Sequence, residues 1–190
     1  GDEMSLARRL NDEQHCRRSD AWVAEFLGGE FGRNLTHLIS IERVGPSHTL
    51  TSLQGQIRTE PAPEAAFLRD VPPEHRDVCH NMRGMNINGS TAKIHRLFVA
   101  LQRHKLSVTT IGIGDGGNEL GMGQFPWEVL QAAIAHGPAG QVACRIATQY
   151  TIVAGVSNWG GYALAAAIDA LMPTGSFQHD WDARREQQLL

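Results

Sequence analysis

A glycine-rich segment in the second half of the chain holds the residues best suited to chemistry. It reads GIGDGGNELGMG from Gly112 to Gly123 and encloses one Asp, one Asn and one Glu among six glycines. The carboxylates of Asp115 and Glu119 lie four residues apart, so they share a face if the backbone begins to coil. Carboxylate and amide oxygens are the ligands that Mg²⁺, Mn²⁺ and Ca²⁺ prefer. The spacing therefore indicates a site for a hard divalent cation.

Phosphate binding is the obvious alternative for a glycine-rich turn, and the residues argue against it. The Lys-Ser/Thr pair of a P-loop is missing, and two carboxylates occupy the loop where an anion would lie. A loose GxGxxG match through Gly112, Gly114 and Gly117 is weak, because Asp115 inside it would repel a pyrophosphate. Capping of the following helix by the two carboxylates is the structural alternative. Capping does not need six glycines, so we expect Gly114, Gly116 and Gly117 to let a cofactor approach the main chain.

A second turn of small residues, GVSNWGGYAL at 155–164, is a candidate substrate site. Ser157 and Asn158 would present a hydroxyl and an amide beside the N–H donors of a helix N-terminus, which favours a carboxylate. Simple N-capping is the structural alternative. Trp159 would either wall a pocket or fill the core. In the segment NMRG, Arg83 would bind a substrate carboxylate through two hydrogen bonds or form a surface ion pair.

The remaining reactive side chains indicate no further chemistry. No G-x-S-x-G elbow is present, and no cysteine has an adjacent base, so nucleophilic hydrolysis is disfavoured. The nine histidines form no ligand-spaced motif. His95 and His104 lie outside the apolar stripe of their predicted helix, and we expect most histidines to be solvated. His48 or His80, near the segment 44–79, is the alternative, as a side chain that approaches the site.

Strands and helices alternate along the chain, which predicts an α/β layered domain with a mostly parallel sheet. We predict a buried strand at 35–41 and further strands at 108–114 and within 144–155. We predict helices at 90–105 with Ser90 or Thr91 as N-cap, at 126–135, and at 157–172 with Ser157 or Asn158 as N-cap. Ligands bind at the carboxyl ends of strands in such sheets. Glu42 with Arg43, the segment 115–119, and the segment 157–159 should therefore meet at one edge, beside two glycine-rich strand-to-helix turns.

The sequence also predicts the secondary structure of two segments outside the candidate site. Residues 3–27 show helical spacing and are predicted to form two short helices, the second capped by Ser19 or Asp20 and ended by the glycine pair at 28–29. Residues 44–79 contain five prolines among polar residues, which predicts a long loop or excursion outside the core.

Composition excludes several classes of protein. With 190 residues, 42% hydrophobic residues and a net charge of -3, the chain is neither disordered nor a basic nucleic-acid binder. We predict a single domain over 1–175 and a polar tail at 176–190. Cys16, Cys79 and Cys144 form no CxxC pair, so neither a disulfide framework nor a zinc site is expected. No window of about 20 apolar residues is present, so we expect a cytoplasmic protein without a membrane role.

The order of four sequence segments is informative in addition to the single motifs. They are IERVG at 41–45, NMRG at 81–84, TIGIGDGGNELGMG at 110–123 and IVAGVSNWGGYAL at 152–164. In this order they resemble the C-terminal domain of D-glutamate cyclase, with the likeness spanning residues 35–172 or so. The resemblance implies dehydration of D-glutamate to 5-oxo-D-proline. It also implies a divalent metal in an acidic cavity, as a related archaeal member looks like a metal protein of this kind.

Residue by residue, the resemblance marks as site candidates Glu42, Arg43, Asn81, Arg83, Asp115, Asn118, Glu119, Ser157 and Asn158. Cyclisation requires a base, a charge stabiliser and an acid. A divalent metal, Mg²⁺ or Mn²⁺, on Asp115 and Glu119 would polarise the γ-carboxyl group, with Glu42 as a third ligand or the base. Arg83 or the helix terminus at Ser157 would hold the α-carboxylate.

The leading hypothesis is therefore a metal-assisted lyase that acts on D-glutamate or a similar small amino acid. The alternative is a non-catalytic module that keeps the glycine-rich pocket for a small anion or a metal. A nucleotide-binding protein is a third option, opposed by the missing lysine. The expected partner is a small-molecule amino-acid substrate, without nucleic acid or membrane; a homo-oligomer is one option.

Overall fold

The structure, a computed structural model, describes residues 2–135 and 137–172. A three-stranded parallel sheet lies at its centre in the order β1-β2-β3, made of β1 (His37–Ile41), β2 (Thr109–Gly114) and β3 (Tyr150–Val153). This arrangement confirms the α/β layered fold with a parallel sheet. The predicted tail at 176–190 lies outside the described residues.

The central strand β2 pairs with both of its neighbours in parallel. Ile111 lies opposite Ile39 on one side and Tyr150 on the other. β-Branched residues favour such a pleated, half-buried environment, which is why the segment TTIGIG forms a strand. Because the three strands run in one direction, their carboxyl ends meet at the same edge of the sheet, where the candidate loops begin.

Helices surround the sheet. They are α1 (Asp2–Gly28), α2 (Glu30–Arg33), α3 (Leu50–Gln54), α4 (Glu64–Asp70), α5 (His95–Arg103), α6 (Trp127–Ala133), α7 (Ala139–Val142) and α8 (Ser157–Leu171). The helices α5, α6 and α8 fall within the ranges predicted from the sequence. Pro126 directly precedes α6 as its N-cap, as its fixed φ favours.

The sheet separates α8 from the main core. On one face, Gly160 brings α8 so near that a Cβ on it would lie 2.6 Å from the Ile113 side chain. On the opposite face, Leu38 packs against a buried cluster built from helices and the glycine-rich turn. The cluster contains Leu53, Phe67, Val71, Phe98, Leu120, Met122, Trp127, Leu130, Ala143, Cys144 and Ile146.

The segment 44–79 contributes to this core, so its prediction as an excursion outside the core was wrong. It contains α3 and α4, and the side chains of Leu53, Phe67 and Val71 are fully buried. The prolines lie outside the α-helices: Pro63 is the N-cap of α4, Pro72 and Pro73 begin a short 3-10 helix, and Pro46 forms a bridge with Cys79. The high proline content therefore obscured the apolar residues of the short helices between them.

Residues 3–27 form one continuous helix, which corrects the prediction of two. Ser19 does not cap a second helix, because its hydroxyl donates to the carbonyl of His15 one turn earlier. Asp20 instead forms an ion pair with Arg96 of α5. No glycine or proline interrupts the segment before Gly28, where α1 ends as expected.

Two smaller predictions also differ from the structure. The strand at 35–41 was expected to be buried, yet Ile39 is 44% exposed, because it lies on the face of the sheet that α8 covers only in part. The cap proposed at Ser90 for α5 is absent, because Ser90 closes a turn onto the carbonyl of Ile87 and the helix begins at His95.

Among the helices that the structure describes, none combines the length and apolar character required to cross a membrane. Cys16, Cys79 and Cys144 are free thiols in the structure.

Candidate functional site

Three carboxylates meet at the carboxyl edge of the sheet. Glu42 directly follows β1, Asp115 directly follows β2, and Glu119 lies in the turn after β2. One oxygen of each lies within 4.8 Å of the others. In the part of the chain that the structure describes, no basic side chain forms an ion pair with any of the three. The structure thus brings together the acidic residues that the sequence singled out.

The glycine-rich turn wraps its backbone around the side chain of Glu119. Oε1 accepts hydrogen bonds from the N–H of Gly116 over 2.8 Å and of Asp115 over 3.4 Å, and Oε2 accepts one from Gly117 over 2.8 Å. The residue is 2% exposed. Burial raises the pKa of Glu119, while these N–H donors partly offset the rise. The anion that fills this cradle is therefore a carboxylate of the protein itself.

Two glycines make this wrapping possible. Gly117 has a φ of +101°, a left-handed conformation that glycine adopts readily. A Cβ on Gly114 would lie 2.8 Å from Cβ and 2.9 Å from Cδ of Glu119. At these two positions the glycines admit the Glu119 side chain, whereas the sequence suggested an approach by a cofactor. A nucleotide phosphate would have to compete with that carboxylate for the same N–H groups.

Asp115 connects the turn to the N-terminus of α8. Its Oδ2 accepts a hydrogen bond from the backbone N–H of Ser157 over 3.2 Å, and the helix dipole favours an anion there. The predicted N-cap by Ser157 or Asn158 was wrong: Val156 precedes the helix and supplies no side-chain hydrogen bond. Ser157 itself is fully buried, and its hydroxyl has no hydrogen-bond partner among the described residues.

Glu42 has an unusual backbone conformation. Its φ is +55°, in the left-handed region that non-glycine residues rarely adopt. Its N–H donates to the carbonyl of Ile113 over 3.0 Å, which extends the pairing of β1 with β2 by one residue. The next residue, Arg43, accepts the N–H of Leu120 on its carbonyl, while its side chain stays exposed. Backbone strain of this kind concentrates at functional sites.

The other polar candidates are used within the fold. Asn118 is buried and donates from Nδ2 to the carbonyl of His80 over 2.9 Å. Asn81 accepts the N–H groups of Arg83 and Met85 on its Oδ1, each over 3.0 Å. These amides brace the segment NMRG and its junction with the glycine-rich turn. They are therefore less available to a substrate than the sequence suggested.

Three candidate side chains remain at the surface. Arg83 is exposed and forms no ion pair with another described residue. Asn158 is exposed, and Trp159 is 64% exposed at the start of α8. The option that Trp159 fills the core was therefore wrong.

Sequence reasoning missed a group of buried histidines. His48 and His80 are 1% exposed and His95 is 7% exposed, against the expectation of solvated rings. Burial lowers the pKa of each to about 4. His80 also lies 3.2 Å from a ring nitrogen of His75. Because their burial comes from the unpredicted helices of 44–79 and from the contact of α5 with its neighbours, no local pattern could have revealed it.

Comparison with known proteins identifies a family whose model matches this chain. A model of the D-glutamate cyclase-like C-terminal family matches residues 71–190. The Homo sapiens protein named D-glutamate cyclase, mitochondrial, is 44% identical to this chain over 89 residues. That stretch is 47% of this chain and only 14% of the human protein. The family match includes Asp115, Glu119 and Ser157, and it begins after Glu42.

Proposed function

Because the chain belongs to the D-glutamate cyclase-like C-terminal family, we propose that it is a lyase that dehydrates D-glutamate or a related small amino acid to a 5-oxoproline-type product. The name of the human relative supports this substrate class. The observation that carries the proposal is the group of three carboxylates at the sheet edge, within 4.8 Å of one another and without a basic partner among the described residues.

A divalent cation, Mg²⁺ or Mn²⁺, fits this donor set. Three carboxylates held close together repel one another, and burial opposes the charge on Glu119; a hard cation with oxygen ligands would neutralise both effects. The backbone donors already orient Glu119, so this ligand would be preorganised. When bound by Glu42, Asp115 and Glu119, the cation would act as a Lewis acid toward the γ-carboxyl group of the substrate.

Ring closure forms a bond between the α-amine nitrogen and the γ-carboxyl carbon and releases one oxygen of that carboxyl group as water. Starting from the ammonium and carboxylate forms, the nitrogen loses two protons in all and the departing oxygen gains two, so the release of water balances. Glu42 is our candidate base, because it is exposed, forms no ion pair within the described part of the chain, and would keep one carboxylate oxygen free if the other bound a metal. Glu119, held by three N–H groups, is better suited to a fixed ligand. Asp115 is exposed and keeps one oxygen outside its bond to Ser157.

The α-carboxylate of the substrate needs a separate binding group. Arg83 is exposed and unpaired with described residues, and a guanidinium binds a carboxylate through two hydrogen bonds. Arg43 is a second candidate, since it follows Glu42 directly. Asn158 and Trp159, at the start of α8, would form one wall of the site. Holding both ends of the molecule would bring the amine and the γ-carboxyl group together.

A non-catalytic module that binds a small anion or a metal is the second candidate function. One observation favours it: the Ser157 hydroxyl is buried, and the amides of Asn81 and Asn118 already bond within the fold. Fewer polar groups are then free for a substrate than a family enzyme would be expected to use. A cytoplasmic location and a homo-oligomeric state are further proposals for this chain.

Turnover of D-glutamate followed by NMR, with and without Mn²⁺ or Mg²⁺, tests the proposal. We expect a 5-oxoproline product that forms faster with metal, and loss of most activity in Asp115→Asn and Glu119→Gln. Asp169→Asn is the matched control, because Asp169 is an exposed acid of α8 outside the carboxylate group. Metal binding without turnover would favour the non-catalytic module. Full turnover in both site variants would overturn the assignment of the site.

A further inference from the structure

A cavity of about 460 Å³ lies where α1 and α5 pack together, apart from the carboxylate group. None of Glu42, Asp115 and Glu119 lines it. Its volume falls within the range of about 300–1,000 Å³ that is typical of small-molecule sites. The proposed lyase function gives this cavity no role.

Positive charge exceeds negative charge in its wall. The charged side chains that line it are the basic Lys93, Arg96, Arg103 and Arg145 and the acidic Asp20 and Asp77. Each acid already has a basic partner: Asp20 pairs with Arg96, and Asp77 accepts Nη2 of Arg145 over 2.7 Å. Lys93 and Arg103 have no ion pair within the described part of the chain. The wall therefore has two unneutralised cations.

The burial of Lys93 makes this surplus informative. Lys93 is only 7% exposed as a residue, and its ammonium group forms no ion pair with a described residue; a partly desolvated cation of this kind gains from binding an anion. Beside it, His95 is also 7% exposed, and its Nδ1 has no hydrogen-bond partner among the described residues; the same holds for Nε of Arg96. On this short stretch, the ammonium group of Lys93, Nδ1 of His95 and Nε of Arg96 thus have no partner among the described residues, while Nη1 of Arg96 is paired with Asp20.

The electrostatic surroundings of His95 are consistent with a surplus of positive charge in the cavity wall. Burial, followed by the positive charges of Arg145, Lys93 and Arg96, lowers the pKa of His95 to about 4, and Asp77 only partly opposes them. The imidazole therefore stays neutral at physiological pH in a region of positive potential. Such a region attracts anions.

The lining of the cavity also has an apolar part. Val23, Ala24 and Leu27 of α1 and Val99 and Ala100 of α5 contribute to it. A ligand that fits both the basic and the apolar lining has a charged head and a short hydrocarbon body. An inorganic ion would contact only the basic residues favourably.

We propose that this cavity binds a small organic anion with a phosphate or carboxylate head and a short apolar body. The oxygen atoms of the head accept hydrogen bonds from Lys93 and Arg103, and the body packs on the apolar side chains of α1 and α5. The site is independent of the proposed lyase site, so either proposal can fail without the other.

Calorimetric titration with three probes of similar length tests the proposal. Hexyl phosphate and hexanoate have the same apolar body with different anionic heads, and hexanol has no charge. We expect at least one anion to bind with a dissociation constant near or below about 1 mM, which is about -4 kcal/mol, and hexanol to bind at least tenfold more weakly. The proposal would be overturned if hexanol bound as tightly as the anions. It would also be overturned if neither anion bound at about 10 mM, ten times the expected dissociation constant.

Variants then assign the site. We expect Lys93→Met and Arg103→Met each to weaken binding of the better anion at least fivefold, and Lys105→Met, the same change at an exposed lysine outside the cavity, to leave it unchanged. Arg103 is exposed, so its variant decides the matter if Lys93→Met fails to fold. Unchanged affinity in Arg103→Met together with unchanged affinity in any folded Lys93→Met would contradict the assignment.

A second measurement uses Cys16, which lines the cavity. The bound anion should slow alkylation of Cys16 by iodoacetamide at least threefold, as measured by mass spectrometry of the peptide. Hexanol at the same concentration should not. An anion that binds without protecting Cys16 would place its site elsewhere and refute the proposal.

Discussion

Asp115 accepts the backbone N–H of Ser157 over 3.2 Å, so the carboxylate that follows β2 stabilises the N-terminus of the helix that follows β3. One side chain thus connects two strand-to-helix turns and also belongs to the group of three acids. This double role allows the two contributions of Asp115 to be separated by substitution.

Asp115→Asn should keep the hydrogen bond and lose the charge, because the amide oxygen can still accept the N–H of Ser157. We expect its free energy of unfolding to stay within about 0.5 kcal/mol of the wild type, while Asp115→Ala loses about 1 kcal/mol with the missing cap. Both variants should bind Mn²⁺ at least tenfold more weakly. Urea unfolding and Mn²⁺ titration by electron paramagnetic resonance measure the two effects. Equal stability of the two variants would argue against a capping role.

Glu42→Gly should stabilise the fold and damage the site. Glycine relieves the left-handed conformation at φ +55°, which is expected to add about 0.5–1 kcal/mol to the free energy of unfolding. Mn²⁺ affinity should fall, since one of three carboxylates is lost. Lys105→Gly is the matched control: its φ of +50° predicts a similar gain without any effect on Mn²⁺. If Glu42→Gly retains full Mn²⁺ affinity, Glu42 is not a ligand.

Gly114→Ala should disturb the turn through its contact with Glu119. The added Cβ would lie 2.7 Å from Cε of Met122 and 2.8 Å from Cβ of Glu119, and we expect a loss of about 1–3 kcal/mol. Gly89→Ala is the control, because a Cβ there meets nothing within 4 Å. Thermal or urea unfolding of both variants provides the comparison. Equal stability of the two would contradict the packing of Glu119 against β2.

His48 should make the fold less stable in mild acid. Burial, followed by the charge of Arg145, lowers its pKa to about 4 from an ordinary 6.5. As the pH falls below 6.5, the unfolded chain takes up a proton that the folded ring does not, so the free energy of unfolding declines until about pH 4. The His48 contribution to this slope approaches about 1.4 kcal/mol per pH unit.

Urea unfolding between pH 5 and pH 7.5 checks this expectation. His48→Gln should reduce the slope by about 1 kcal/mol per pH unit, whereas His104→Gln, a change at an exposed histidine, should not alter it. An unchanged slope in His48→Gln would show that the ring titrates freely in the folded protein.

The cysteines should differ in reactivity. Burial raises the pKa of Cys79 to about 11 and that of Cys144 to about 12, so both remain neutral thiols at neutral pH. Cys16 is only partly buried. With Ellman's reagent we expect one fast-reacting thiol in the native protein, assigned to Cys16 by its loss in Cys16→Ser, and two more after denaturation. Fast reaction of Cys144 in the native state would show that its segment opens.

The local sequence determined the strands and the acidic candidates. The alternation of strands and helices predicted the parallel sheet, and the rule that loops at one edge of such a sheet meet in space brought Glu42 near Asp115 across about 70 residues. These predictions succeeded because hydrophobic periodicity and strand direction are properties of short segments.

The tertiary structure alone decided how the polar groups are used. Nothing local distinguishes Asp115, which caps α8, from Glu119, which the turn encloses, since both depend on backbone donors that only the folded turn presents. The burial of Lys93 likewise follows from how α1 lies on α5. Residue types and spacing specify which groups are present, whereas solvent access and hydrogen-bond partners depend on contacts between distant segments, which arise only when the chain packs.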